Sequence, residues 1–153
     1  MRALTILQPW ADLIMSGEKR VENRTWPTKY RGRLYIHAGK SREALVTKDV
    51  DGQAVCIRTG KRVEDLRFGF VVGVAVLLDC IPIEELRGNS TPAKYPELQS
   101  HPYAEGPWCW VLAERPTPIG PWPYKGAQGL FDINSLTLDR IANRELGIRE
   151  PMP

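Results

Sequence analysis

Ser16-Gly17-Glu18-Lys19-Arg20-Val21-Glu22-Asn23-Arg24-Thr25-Trp26 follows the first helical stretch of the chain, and the rest is read outward from it. Gly17 is placed to stop a helix, and from Val21 onward the residues alternate. Strand side chains repeat every two residues, so Glu22, Arg24 and Trp26 are expected on one face and Val21, Asn23 and Thr25 on the other. A strand face that carries an acid, a guanidinium and an indole together is costly to bury, and it suits the wall of a cleft for a polar, planar ligand. The same residues also suit a plainer arrangement, a partly exposed Glu22–Arg24 pair beside a core tryptophan.

Upstream, Ala3-Leu4-Thr5-Ile6-Leu7 reads as a short strand. Pro9 fits the first turn of a helix, Trp10, Leu13 and Ile14 form its apolar stripe, and Gly17 caps it in a left-handed conformation. Downstream, Leu34-Tyr35-Ile36-His37-Ala38 alternates as a second strand. His37 is expected to be a structural imidazole bonded to backbone, because no nucleophile motif accompanies it. Residues 41–66 read as a variable insertion, with Asp51-Gly52 signalling a hairpin. Phe70 to Leu78 is the longest apolar run and is expected to be a central strand buried on both faces, with a bulge or bend at Gly73. Residues 88–107 read as a surface loop, and Trp108 to Ala113 as a strand with Trp108 and Trp110 on one face. Four prolines between 116 and 123 argue against regular structure there. Leu130 to Ile133 closes the sheet, and a weak helix follows from Thr137 as its N-cap.

The chain of 153 residues is expected to be one domain, residues 1–153, with a C-terminal helix and tail from about residue 137. Short strands with Gly and Pro at the corners and few helices predict an α+β fold: a small β-barrel, of mixed but mainly antiparallel sheet, with peripheral helices. A net charge of +3 is compatible with a nucleic-acid partner without requiring one. The three cysteines, Cys56, Cys80 and Cys109, are odd in number and lack CxxC spacing. They argue against a disulfide framework and a cysteine zinc site, and His37 and His101 add little. No secretory pattern or membrane-length apolar run is present, so a cytoplasmic protein without membrane attachment is expected.

Leu7-Gln8-Pro9-Trp10-Ala11, the Gly17-x-Lys19-x-x-Glu22-x-Arg24-x-Trp26 pattern and Ile36-His37-Ala38-Gly39-Lys40 resemble an ASCH domain, named for ASC-1 homology. Val72-Gly73-Val74-Ala75, Trp110-Val111-Leu112 and Gly126-Ala127-Gln128-Gly129-Leu130-Phe131 resemble its later strands. The resemblance runs from Met1 to about Ile133, with Ser41 to Leu66 and the C-terminal tail outside it, and implies a PUA-like barrel that binds RNA in a cleft beside the first helix. It implies Gln8, Trp10, Lys19, Glu22, Arg24, Trp26 and Lys40 as ligand-binding residues. Stacking on Trp10 or Trp26, phosphate contacts by Lys19 and Arg24 and acceptance of an amine by Glu22 agree with how single-stranded RNA is held. Lys29, Arg31, Arg33, Lys40 and Lys125 extend a positive rim.

The same resemblance leaves an enzyme open. One branch of the family hydrolyses an N-acylated cytidine with a lysine, a threonine and a glutamate. Lys19 matches the lysine, but Glu22 stands at the threonine position. Other members are associated with metal-assisted cleavage of single-stranded RNA, and there Lys19 and Glu22 would be the catalytic pair. No cofactor is expected for the binding module; a divalent metal is implied only for the ribonuclease, with Asp79 and Glu114 as further carboxylates. A third reading is a protein-interaction adaptor, built on proline-flanked tryptophans such as Trp122. The partner is thus single-stranded RNA, a nucleotide or a nucleoside, and the sequence leaves the oligomeric state open.

Overall fold

The computed structural model describes residues 1–42, 46–89, 92–138 and 140. Nine strands and two short helices follow in the order β1 (Arg2–Ile6), α1 (Trp10–Ser16), β2 (Val21–Arg24), β3 (Gly32–Ala38), β4 (Val46–Lys48), β5 (Ala54–Cys56), β6 (Phe70–Pro82), α2 (Ile83–Leu86), β7 (Trp108–Leu112), β8 (Thr117–Pro123) and β9 (Leu130–Asp132) among the described residues. Seven strands make one sheet in the order β2-β7-β6-β3-β1-β9, with β8 also paired to β6; β4 and β5 form a separate hairpin. Among the described residues only β1 and β3 run parallel.

The architecture is α+β with a mostly antiparallel sheet, but the expected barrel is not formed. Closure would require the terminal strands β2 and β9 to pair, and they do not. The long β6 explains why. Its residues Leu77–Pro82 pair with β7 and its residues Phe70–Val74 with β8. One edge of β6 is therefore shared between two partners, and the sheet forks and curls instead of closing.

The period of two decides which side chains meet α1. Leu4, Ile6, Leu34, Ile36, Trp110 and Leu112 are all buried in one cluster with Ala11 and Ile14 of the helix. Their neighbours in sequence point the other way. Ala3 and Tyr35 join a second cluster with Val71 and Val74, and Val21, Cys109 and Val111 join a third with Leu86 of α2. Fully burying each large aliphatic side chain contributes about 1.5–3 kcal/mol. Gly73 lets the helix lie close on β6. A Cβ there would stand 2.0 Å from Met15 Cε and 2.9 Å from the Thr117 carbonyl, and the pairing of β6 with β8 skips a residue beside it.

Three expectations change in detail. β6 is buried on both faces only over its first half; Val76 and Leu78 are exposed. The proline-rich segment is the strand β8 after all. It lies on the outside of β6, where missing N–H groups at Pro118, Pro121 and Pro123 are tolerated on an edge. Asn134, not Thr137, caps the last helical turn, its Oδ1 accepting from the Leu136 and Thr137 N–H groups at 2.9 and 3.4 Å. The remainder of the expected C-terminal helix falls outside the described residues. Among the described residues no helix is long and apolar enough to cross a membrane.

Candidate functional site

Helix α1 ends where the sequence says it should. Gly17 takes φ 84° and donates its N–H to the Ile14 carbonyl at 3.0 Å. The Lys19 N–H then bonds the Leu13 carbonyl at 3.0 Å, which holds the start of β2 against the end of the helix. This turn aims the Lys19 side chain inward. Its ammonium donates to the Val21 carbonyl and, at 2.7 Å, to Glu22 Oε2. Lys19 is 4% exposed and Glu22 8%, so the pair is shielded from solvent. Arg24 Nε stands 3.3 Å from Glu22 Oε1, at an angle that makes no hydrogen bond, while Arg24 Nη2 donates to the Thr5 carbonyl at 2.8 Å. One carboxylate thus holds two cations.

A cavity of about 240 Å³ opens over this pair, lined by Trp10, Lys19, Glu22, Asn23, Arg58, Tyr103 and Glu105. Trp10 and Tyr103 meet edge to face with ring centroids 5.5 Å apart. Asn23 fastens the loop that brings Tyr103: its Oδ1 accepts from the Glu105 and Gly106 N–H groups, each at 2.9 Å, and its Nδ2 donates to the Tyr103 carbonyl at 2.8 Å. His101 accepts the Arg20 N–H on Nε2 at 3.0 Å. Burial, with help from the charges of Lys19 and Arg20, holds the His101 pKa below its usual value and keeps that nitrogen free to accept.

Of the seven residues expected to bind ligand, the structure brings Trp10, Lys19 and Glu22 to this cavity and leaves four outside its wall. Arg24 supports Glu22 from behind. Trp26 is partly buried and packs against the core, edge to face with Trp110 at 4.8 Å. The strand β2 stops at Arg24, so the alternation that grouped Trp26 with Glu22 does not extend to it. Gln8 is a buried connector, accepting the Asp12 N–H at 3.0 Å and donating to the Arg67 carbonyl at 2.9 Å. Lys40 is exposed and its stem runs past Gly69, where a Cβ would approach Lys40 Cγ to 3.0 Å. The two further carboxylates also lie elsewhere. Glu114 pairs with Arg20 at 3.6 Å. Asp79 receives Lys94 at 2.6 Å, Arg31 at 3.2 Å and the Tyr95 hydroxyl at 3.0 Å. Burial opposes its charge, but the hydrogen bonds from Lys94, the Cys80 N–H and Tyr95 hold its carboxyl below the usual range.

Arg58, Tyr103 and Glu105 complete the wall, and the sequence pattern does not point to them. Arg58 comes from the turn after β5 and the other two from the long loop before β7. Nothing in their local sequence marks them, since only the tertiary fold carries those loops to α1. Trp122 packs partly buried against the Ala3 and Tyr35 cluster. Two smaller cavities lie apart, one of about 230 Å³ between α1 and β8 and one of about 200 Å³ lined by Met1, Arg2, Tyr30, Arg33 and Tyr35.

His37 sits at the far end of the parallel pair. Tyr124's carbonyl lies 2.7 Å from Nε2, so that nitrogen carries the proton, and Nδ1 accepts from the Thr5 hydroxyl at 3.1 Å. Gly126 must lack a side chain, because a Cβ would approach the His37 ring and Thr5 Oγ1 to 2.6 Å. Burial pushes the Cys109 thiol up to about 11 and raises Cys56 and Cys80 too, which deprives all three of thiolate character. Among the described residues no three His, Cys, Asp or Glu side chains converge as a metal site.

An open, mostly antiparallel α+β sheet, with a buried lysine–glutamate pair at the floor of a small aromatic cavity, defines the class. The family model of the ASCH domain matches residues 4–118, and the chain belongs to that family. It is 28% identical over 136 residues to human activating signal cointegrator 1 and equally so to the mouse protein, covering 86% of this chain and 22% of each relative. The chain therefore spans about a fifth of the length of the curated relatives it matches. Among solved structures, a tyrosine-to-phenylalanine variant of the ASCH protein of Zymomonas mobilis aligns over 93% of this chain and 96% of its own, at 15% identity and a TM-score of 0.47. The unsubstituted protein aligns over 93% of each chain with a TM-score of 0.44.

Proposed function

We propose that this chain is an RNA- or nucleotide-binding domain that takes one unstacked base into the cavity over Lys19 and Glu22. The observation that carries the proposal is the clamped carboxylate. Glu22 is fixed between two cations at the floor of a cavity walled by Trp10 and Tyr103. Its oxygens keep lone pairs for an amino or imino N–H of a base, and the rings supply apolar contact. At about 240 Å³ the cavity falls below the roughly 300–1,000 Å³ of drug-sized sites. That suits a single planar group and excludes a duplex. ASCH domains as a family are linked to RNA binding, which agrees with this reading. Residues 1–153 would act as one ASCH domain, with residues 41–66 an insertion whose Arg58 reaches the cavity.

A labelled single-stranded RNA titrated at low and high salt tests the proposal, with the bound samples then run on a denaturing gel. Salt-sensitive binding of intact RNA supports a binding module. Shortened RNA would instead favour the second reading, a hydrolase. One observation favours that alternative: the Lys19 ammonium and Glu22 carboxylate, 2.7 Å apart, both line the cavity, an arrangement suited to general acid–base work. Loss of cleavage in Glu22→Gln is expected under that reading.

A further inference from the structure

Two cations line the cavity, and they are held very differently. Lys19 pairs with Glu22 at 2.7 Å with side chains 4% and 11% exposed. Removing either partner would strand a buried charge, so this ammonium does not leave its carboxylate for a ligand. Arg58 pairs with Glu105 at 2.8 Å with side chains 46% and 55% exposed. An ion pair so open to water contributes little, and a better anion displaces it readily. The guanidinium also lies over the Trp10 ring, its Cζ 5.1 Å from the centroid. The ring contact helps hold the guanidinium at the cavity mouth, where its Nη1 donates to Glu105 Oε1 at 2.8 Å. Once that carboxylate leaves, the planar fork can take an anion in two-pronged fashion.

The turn that presents Arg58 is braced. The Thr59 and Gly60 N–H groups bond the Cys56 carbonyl at 3.2 and 2.7 Å, and the Cys56 N–H bonds the Lys61 carbonyl at 2.9 Å. Lys61 ties the same turn to α1 through Asp12 at 2.8 Å. Arg58 is therefore held at the mouth of the cavity before any ligand arrives.

We infer that Arg58, not Lys19, is the phosphate-binding residue of this site, and that Glu105 occupies its guanidinium until a nucleotide phosphate replaces it. The inference rests on the nucleotide-binding reading above and goes beyond it by assigning the phosphate contact to the insertion. Guanidinium forks match a phosphate's oxygens in geometry and charge, which makes the exchange favourable. The base then enters beside Tyr103 and the Glu22 floor, while the phosphate stays at the rim over Trp10. Lys19 has the separate task of holding the Glu22 carboxylate in place.

The test is a salt titration of labelled single-stranded RNA against the full chain and three variants, Arg58→Gln, Glu105→Gln and the double substitution. Both side chains are half exposed, and the Glu105 N–H bond to Asn23 survives either change, so thermal melts should match the parent. Arg58→Gln is expected to weaken binding about tenfold at low salt and to lower the slope of log K against log salt by about 0.7, one single-strand phosphate. Glu105→Gln should tighten binding about two- to fivefold by freeing Arg58. The double variant should lose that gain. An unchanged slope in Arg58→Gln, or weaker binding in Glu105→Gln, would overturn the assignment while leaving the RNA-binding reading standing. Failure of the parent chain to bind RNA at any salt would overturn both.

Discussion

Lys19 Nζ lies 2.7 Å from Glu22 Oε2, and the same carboxylate has Arg24 Nε at 3.3 Å on its other oxygen. Three charged groups thus share one buried corner between the end of α1 and the start of β2. A buried ion pair is weak evidence for stability, but breaking one is expensive because the survivor keeps its desolvation cost. Lys19→Met is expected to lower unfolding stability by about 3–5 kcal/mol. Adding Glu22→Gln should recover part of that loss. Urea midpoints of the two single variants and the double check it; strictly additive losses would mean that the pair is not coupled.

Trp26 separates the core from the site. Because it packs edge to face on Trp110 at 4.8 Å, Trp26→Ala should cost about 3 kcal/mol of stability. RNA affinity, measured at a temperature where the variant is folded, should be unchanged. Tyr103→Ala should do the reverse, keeping the melting temperature and weakening binding.

Gly73 is a packing position. The Cβ of Gly73→Ala would face Met15 Cε at 2.0 Å and the Thr117 carbonyl at 2.9 Å. The methionine end can swing away, but the carbonyl belongs to a paired strand. A loss of about 1–3 kcal/mol is expected from thermal or urea unfolding.

His37 and His101 make stability depend on pH. Burial lowers the pKa of both below the ordinary value of 6.5. Below that value the unfolded chain binds protons that the folded chain refuses, so stability is full above pH 6.5 and falls as the pH drops toward the lowered values. Urea midpoints measured on either side of pH 6.5 should show this fall. His37→Gln should flatten the curve and lower the plateau.

Local signals were strong where one residue type has one job. Gly17 ends α1 with φ 84°, Asp51-Gly52 turns the hairpin between β4 and β5, and Gly73 marks both the bulge in β6 and the seat of Met15. They were misleading where backbone chemistry and tertiary pairing disagree. The prolines of β8 suggested irregular structure, yet an outer edge needs no N–H from them. Strand count and corners predict a barrel because they do not reveal that β6 divides one edge between β7 and β8. At the site, Trp10, Lys19 and Glu22 were legible because a helix stop and a strand start fix them within a few residues of each other. Arg58, Tyr103 and Glu105 arrive on loops distant in sequence, and no local pattern records that meeting.

The most direct measurement is ultraviolet cross-linking of labelled single-stranded RNA to the full chain, with the cross-linked residues mapped by mass spectrometry. The cavity over Lys19 and Glu22 predicts adducts on Tyr103 and Trp10, both reduced when Arg58→Gln weakens binding. Adducts on Tyr30 and Tyr35, in the separate cleft beside Arg2 and Arg33, would place the RNA on another face and contradict the account.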